Sequence, residues 1–210
     1  MKLRKNILEL ISFGHKYQYF VITQSEENNK KNKPSLYFSK YQFVIILVSL
    51  FIVLFNRSKF SEDLSGYIIS ALSLFIGLFF AFIFTLFDKY KSKYTEEFLS
   101  SATEEDESLN RKNINFYKKV SYLTLYAILI AILTIILFSF NLIFDFKYPK
   151  LELLDIVNTY NCLDEYNYHW KLIGISIYQF ISFYFLFDFL LLTLYILGAV
   201  FEYLKGEYKS

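Results

Sequence analysis

Cysteine, glycine, proline and histidine are all scarce in this chain of 210 residues, and each scarcity closes off a class of chemistry. The one cysteine, Cys162, rules out an internal disulfide and a cysteine-based zinc cluster. With 6 glycines and 2 prolines there is neither a glycine-rich phosphate loop nor a long Pro-rich or Gly-rich linker. No G-x-S-x-G elbow, H-E-x-x-H pair or Walker loop is present. The adjacent acids Glu96 and Glu97 diverge on a helix instead of converging on one proton. The chain is therefore read as a non-enzyme that needs no cofactor and no metal. An excess of one charge is missing too: 22 basic residues stand against 20 acidic ones, so no direct nucleic-acid binding is expected.

Apolar residues, by contrast, are abundant. The chain is 55% hydrophobic and 21% aromatic, with a mean hydropathy of +0.32, more than a water-soluble fold of this length has interior to hold. From Gly66 to Phe87 no residue is charged. At ~1.5 Å per residue such a run crosses a hydrocarbon core of about 30 Å. This run is expected to be the helix around which the others assemble. Gly66, Ser70, Ser73, Gly77, Ala81 and Thr85 recur along it at steps of three or four, so small side chains share one face. In lipid, where hydrophobic drive between helices is weak, a small face lets two backbones approach and gain dispersion energy. A second, shorter stripe, Ala127, Ala131 and Thr134, is expected to face Ser73, Gly77 and Ala81.

Read in order, the chain predicts an all-α polytopic membrane protein. Residues 1–35 form a cytosolic or interfacial segment. Within it Leu3, Ile7, Leu10, Ile11, Phe13 and Tyr17 follow helical spacing among basic residues. This amphipathic helix either lies on the membrane surface or packs on the protein's own cytosolic side. The start has a basic lead but no sustained apolar core, unlike a removable signal peptide. Residues 36–210 form a domain of four transmembrane helices, at about 36–56, 64–87, 120–144 and 172–204. The short link between the first two spans makes them expected neighbours. A cytosolic helical hairpin, 88–119, extends spans two and three, with an acidic turn at Glu104–Glu107 and a candidate helix cap at Ser108. An outer segment, 145–171, is expected to carry one short surface helix at 151–160 and boundary aromatics at Tyr148, Tyr168 and Trp170.

The fourth span is long, about 50 Å of helix at ~1.5 Å per residue, and carries Asp188 at its middle. Within the apolar cores of the spans there is no Lys or Arg to neutralise it. An acid there costs ~2.5 kcal/mol or more on the most lenient insertion scale, so it has to be protonated, hydrogen-bonded or wetted. Tyr184, Asp188, Tyr195 and Glu202 fall on nearly one helical face, the candidate lining of a pore or an intersubunit seam.

Basic residues set the orientation. Seventeen of the 22 lie in the first 40 residues, the central hairpin and the tail after Leu204. The positive-inside rule then places both termini and the hairpin in the cytoplasm of a cell whose inner membrane the chain spans. His15 and His169 end up on opposite sides, and neither follows an arginine at the spacing of HEPN-type nucleases.

In span count, size and lack of a large soluble domain the chain resembles small four-span membrane proteins of prokaryotic antiviral systems, such as the accessory membrane protein of some type VI CRISPR loci or the membrane component of Kiwa. The resemblance carries no residue motif, so no site follows from it. It implies a partner-dependent protein that signals infection at the inner membrane or alters that membrane. Two functions are expected on these grounds. One is an oligomeric membrane effector or channel-like component. The other is a membrane-anchored adaptor or sensor that recruits a soluble cytosolic protein through 88–119 and 1–35. A small transporter is a further alternative, disfavoured because no repeat and no broken span are visible.

Overall fold

A computed structural model describes residues 2–22, 40–55, 60–93, 104–144 and 162–207. They form five helices, and no strand occurs among them. We label these α1 (Lys2–Ile22), α2 (Lys40–Phe55), α3 (Glu62–Lys93), α4 (Glu104–Ile143) and α5 (Cys162–Glu207). Three stretches are long and apolar enough to cross a membrane: Glu62–Asp88, Phe116–Ile143 and Trp170–Phe201. Their length and composition suggest a membrane protein, and α2, 16 residues long and largely apolar apart from Lys40, Gln42 and Ser49, joins the same bundle.

The centre of the bundle is α4, not α3 as the sequence led us to expect. Half of the apolar stretch of α4, 50%, is buried, against 11% for that of α3 and 28% for that of α5. The buried positions of α4 explain its place: Tyr117, Val120, Thr124, Ala127, Ala131, Thr134, Phe138 and Asn141 alternate in steps of three and four. That is a heptad seam. Ser65, Leu72, Phe79 and Leu86 of α3 repeat every seven residues, as do Ile175, Ser182, Phe189 and Ile196 of α5. Buried positions spaced in sevens are those of helices crossing at a shallow left-handed angle, knobs into holes.

Two contacts show that α4 and α5 run antiparallel. At one end the hydroxyls of Tyr117 and Tyr203 lie 3.2 Å apart, and Phe116 stacks on Tyr203 at 4.3 Å between ring centroids. At the other, the Tyr178 hydroxyl donates to the Leu137 carbonyl. The α3–α4 pair is fixed by Asn141, whose Nδ2 donates to Ser65 Oγ at 2.9 Å and to the Phe60 carbonyl at 3.4 Å. A buried amide is thereby satisfied by two acceptors from the start of α3. Ser61 caps that start by accepting the Leu64 amide at 3.1 Å, and Glu62 and Asp63 complement the positive end of the helix dipole.

Several expectations need correcting. α2 packs along α5 and does not pair with α3, although only a short link joins α2 to α3 in sequence. The two small-residue stripes do not face each other either. Ala127 and Ala131 are fully buried, but they share a cluster with Leu72, Phe79 and Leu86, while Ser73, Gly77 and Ala81 are exposed. Large side chains set into a notch of alanines fill it, whereas two small faces would leave α3 and α4 with little to touch. Glu104–Glu107 opens α4 as helix instead of forming a turn, which leaves Ser108 inside the helix and not at its cap. Four acids at the amino end of a helix suit its dipole. The tip of the hairpin (94–103), residues 36–39 of the first span, and most of the outer segment, including 151–160, lie outside the described residues.

Candidate intramembrane polar site

The site is built along α5, which packs against α4 and against α2. Asp188 sits one residue before Phe189, the fully buried knob of the α5 seam, and that neighbour carries it inward to 2% exposure. Tyr184 lies one turn towards the amino end of α5 and Tyr195 two turns towards the carboxyl end, both half-buried. Tyr126 of α4 comes in from the opposite helix and is buried. Tyr184 and Tyr195 share the Asp188 face of α5. From α2, Tyr41 meets Tyr195 edge to face at 6.4 Å. Beside it Gln42 is buried, and one heptad further on Ser49 is completely covered.

This arrangement puts one carboxyl group among phenols in the interior of a bundle. In a low-dielectric interior a tyrosine hydroxyl can donate to a carboxylate or accept from a carboxylic acid, so the group is stabilised in either protonation state. Nothing basic is needed. Two hydroxyls stay without a hydrogen-bond partner among the described residues: Ser49 Oγ and Tyr195 Oη, both buried. Their behaviour departs from that of the other buried hydroxyls. Thr124, Thr134 and Ser182 each donate to the backbone carbonyl four residues back, at 2.8, 2.8 and 2.9 Å.

The structure brings together Tyr184, Asp188 and Tyr195, three of the four residues proposed from the α5 face. The Glu202 side chain lies outside the described set. It adds Tyr126, Tyr41, Gln42 and Ser49, which helical-face reasoning on one span had no means of finding. A signal for them did exist. Gln42 and Ser49 are one heptad apart in a helix whose remaining side chains are nearly all apolar, so they mark the face that avoids lipid. Where the carboxyl half of α2 meets the amino half of α5, the seam opens into an apolar groove of ≈ 350 Å³ lined by Leu50, Val53, Leu172, Ser176 and Phe180, among others.

The proposed helix-packing residues divide into two sets. Ala127 and Ala131 are buried within the chain. On α3, Ser70, Ser73, Gly77, Ala81 and Thr85 are exposed and Gly66 partly so. A β-carbon added at Gly66 or Gly77 would meet nothing within 4 Å. The hydroxyls of Ser73 and Thr85 turn back to the carbonyls of Ile69 and Ala81, at 2.8 and 3.0 Å. Among the described residues no group of three His, Cys, Asp or Glu side chains converges to hold a metal.

α1 closes over this region from the amino terminus. Gly14 is buried against Tyr126, and Phe13 stacks on Tyr122 at 5.3 Å. Compared with known protein families, with curated proteins and with solved structures, the chain finds no match.

Proposed function

We propose that the protein is an oligomeric, multi-pass component of the bacterial or archaeal inner membrane, a channel-like effector whose α2–α4–α5 polar site borders its conducting or lipid-perturbing path. One observation carries this reading. A carboxyl group lies 2% exposed in the middle of a span, with Tyr184 one turn away on the same helical face, where its transfer from water has to be compensated by a task or by hydrogen bonds. In this proposal α2 is the first of four spans, α1 lies along the inner boundary, and both termini are cytoplasmic. The exposed Ile7, Leu8, Ile11 and Phe13 beside exposed Arg4 and Lys5 support a helix half-sunk among headgroups.

Assembly is proposed through α3. In α2, α4 and α5 the buried faces are those marked by small or polar residues: Ser49, Ala127, Ala131, Thr134, Ser182. The small face of α3 departs from that rule by pointing outward, as a surface does that meets another copy. Gly77→Leu is expected to leave the fold of the chain intact and to convert the oligomer to monomers, read by light scattering in detergent and by counting subunits in nanodiscs. A wild-type protein that is a monomer in lipid at every concentration overturns this part.

The functional test is leakage. Purified protein in liposomes should release a small trapped ion or dye, and Asp188→Leu should lower that release at least tenfold with assembly unchanged. Absence of any leakage from wild type, with or without a cytosolic extract, favours the adaptor instead. A specific feature supports that second reading: α4 runs as helix from Glu104 to Phe116, the start of its apolar stretch, about 18 Å at ~1.5 Å per residue, before entering the membrane. A rigid stalk of that length suits a docking arm for a soluble partner. The antiviral role rests on the resemblance of outline. It predicts that cells carrying the wild-type chain with its partner survive phage challenge better than cells carrying Asp188→Leu.

A further inference from the structure

The groove between α2 and α5 has a girth, a lining and a position that together select its occupant. Leu50, Val53 and Leu54 wall it on α2, and Leu172, Ser176 and Phe180 wall it over two turns of α5. The seam is tight at its other end, where the Tyr41 ring meets Tyr195 and Ser49 is fully covered. Beyond Ser49 the helices part and leave ≈ 350 Å³. Water does not suit that space, because a held water needs two to four polar partners and Ser176 is the one polar side chain in the lining. Left empty, the groove forfeits dispersion contacts along both walls. A helix about 10 Å across and as long as the groove occupies roughly 900 Å³, too much for it. A single extended hydrocarbon chain has the right girth.

The position adds the rest of the ligand. The groove begins at the edge of the apolar stretch Trp170–Phe201, and from Leu172 to Phe180 it rises about 12 Å, most of one leaflet of a hydrocarbon core of about 30 Å. Trp170 and Lys171, both exposed, stand just beyond its mouth. An indole at that level suits the boundary between acyl chains and headgroups, and an ammonium on a four-carbon stem complements a phosphate. We infer that the α2–α5 groove holds one acyl chain of a phospholipid, with the phosphate at the level of Lys171. A chain seated there touches two helices at once, where on the convex outside of the bundle it touches one. It thereby wedges α2 against α5, the helix along which α2 packs. The inference rests on the membrane-spanning reading given above, and on neither assembly nor leakage.

The experiment reconstitutes the full chain in phosphatidylcholine liposomes that contain a small fraction of phosphatidylglycerol with a photoreactive diazirine in its acyl chain. After irradiation, the label is mapped by peptide mass spectrometry. Residues 50–54 and 172–180 are expected to take up at least tenfold more label than Leu74 and Phe84, exposed residues of α3 that meet bulk lipid. Ser176→Phe sets a ring into the groove and should erase that excess. Lys171→Gln removes the charge at the mouth and should lower it about fivefold, with the labelling of α3 unchanged. Equal labelling of groove and α3 in wild type overturns the inference, since the contact is then that of any lipid-facing surface. A groove without label overturns it as well and assigns the space to another part of this chain or to a second copy. So does an excess that both substitutions leave intact. Liposome leakage is scored separately: selective labelling without leakage sinks the channel reading and keeps the site, and leakage with uniform labelling does the reverse.

Discussion

Gly14→Ala is expected to loosen the amino-terminal helix, although in most helices that exchange is favourable. Glycine inside a helix costs roughly 0.5–1 kcal/mol relative to alanine, because the unfolded chain has more freedom to lose. At Gly14 the sign reverses. A β-carbon there would lie 2.4 Å from Cγ and 2.6 Å from Cβ of Tyr126, atoms close to the α4 backbone that have no free rotor to move aside. Ordinary contact begins near 3.4 Å, so α1 has to retreat by about an ångström or tilt. Overpacking of this kind costs about 1–3 kcal/mol, which outweighs the propensity gain, and Gly14→Leu should detach the helix. Detachment also removes the stacking of Phe13 on Tyr122 and uncovers Tyr126. Trypsin should then cut within residues 2–22 at least tenfold faster in the variants than in wild type, with the spans still protected. Gly174→Ala is the matched control, since nothing lies within 4 Å of a β-carbon there and the exchange should be neutral or stabilising. Equal proteolysis of wild type and Gly14→Ala would mean that α1 is held by lipid and not by α4.

That close approach was invisible in the sequence, and the reason applies to the fold as a whole. Length and uncharged runs suffice to find the helices, because lipid demands that every backbone group be paired within its own helix. They do not say which side faces which. In water the buried face is the apolar one, but here both faces are apolar, and the contrast that remains is size and polarity. On α4, Thr124, Ala127, Ala131, Thr134 and Asn141 carry that contrast in heptad register and are buried. On α3 the same contrast points outward. The rule that small residues mark contact therefore identifies a surface without identifying whether the partner is in the same chain, and the expected facing of the α3 and α4 small-residue stripes failed on that ambiguity. Asp188 was legible because a lone acid in a span has so few ways to exist. Its neighbours Tyr126 and Tyr41 were not, since they arrive from other helices and depend on register. Gly14 could not be told from a helix-weakening glycine until Tyr126 was seen against it.

Phe60→Ala should produce the largest loss of stability among the single truncations that leave the polar site untouched. Phe60 precedes α3 by two residues, is 5% exposed, and acts as a pin through the end of the bundle where α3 begins. Its ring lies 5.0 Å from Phe138 of α4, 5.0 Å from Phe183 and 6.5 Å from Tyr178 of α5, tilted or edge-on in each case. Its carbonyl accepts from Asn141. A truncation removes three aromatic contacts at once, each worth ~0.5–1.5 kcal/mol beyond area, from a place where three helices converge. Aromatic-to-alanine changes cost 3–5 kcal/mol in water-soluble cores, but part of that sum is transfer from water, and the unfolded reference here stays in lipid or detergent. The cavity and dispersion share remains, so a loss of about 2–3 kcal/mol is expected, measured by titrating the purified protein with a denaturing detergent. Phe183→Ala should cost less by itself, and the double variant should fall short of the sum by about 0.5–1.5 kcal/mol, because both remove the same contact. Strict additivity, or a loss under about 1 kcal/mol for Phe60→Ala, would show that the outer end is held by the Asn141–Ser65 hydrogen bond at 2.9 Å and not by the rings.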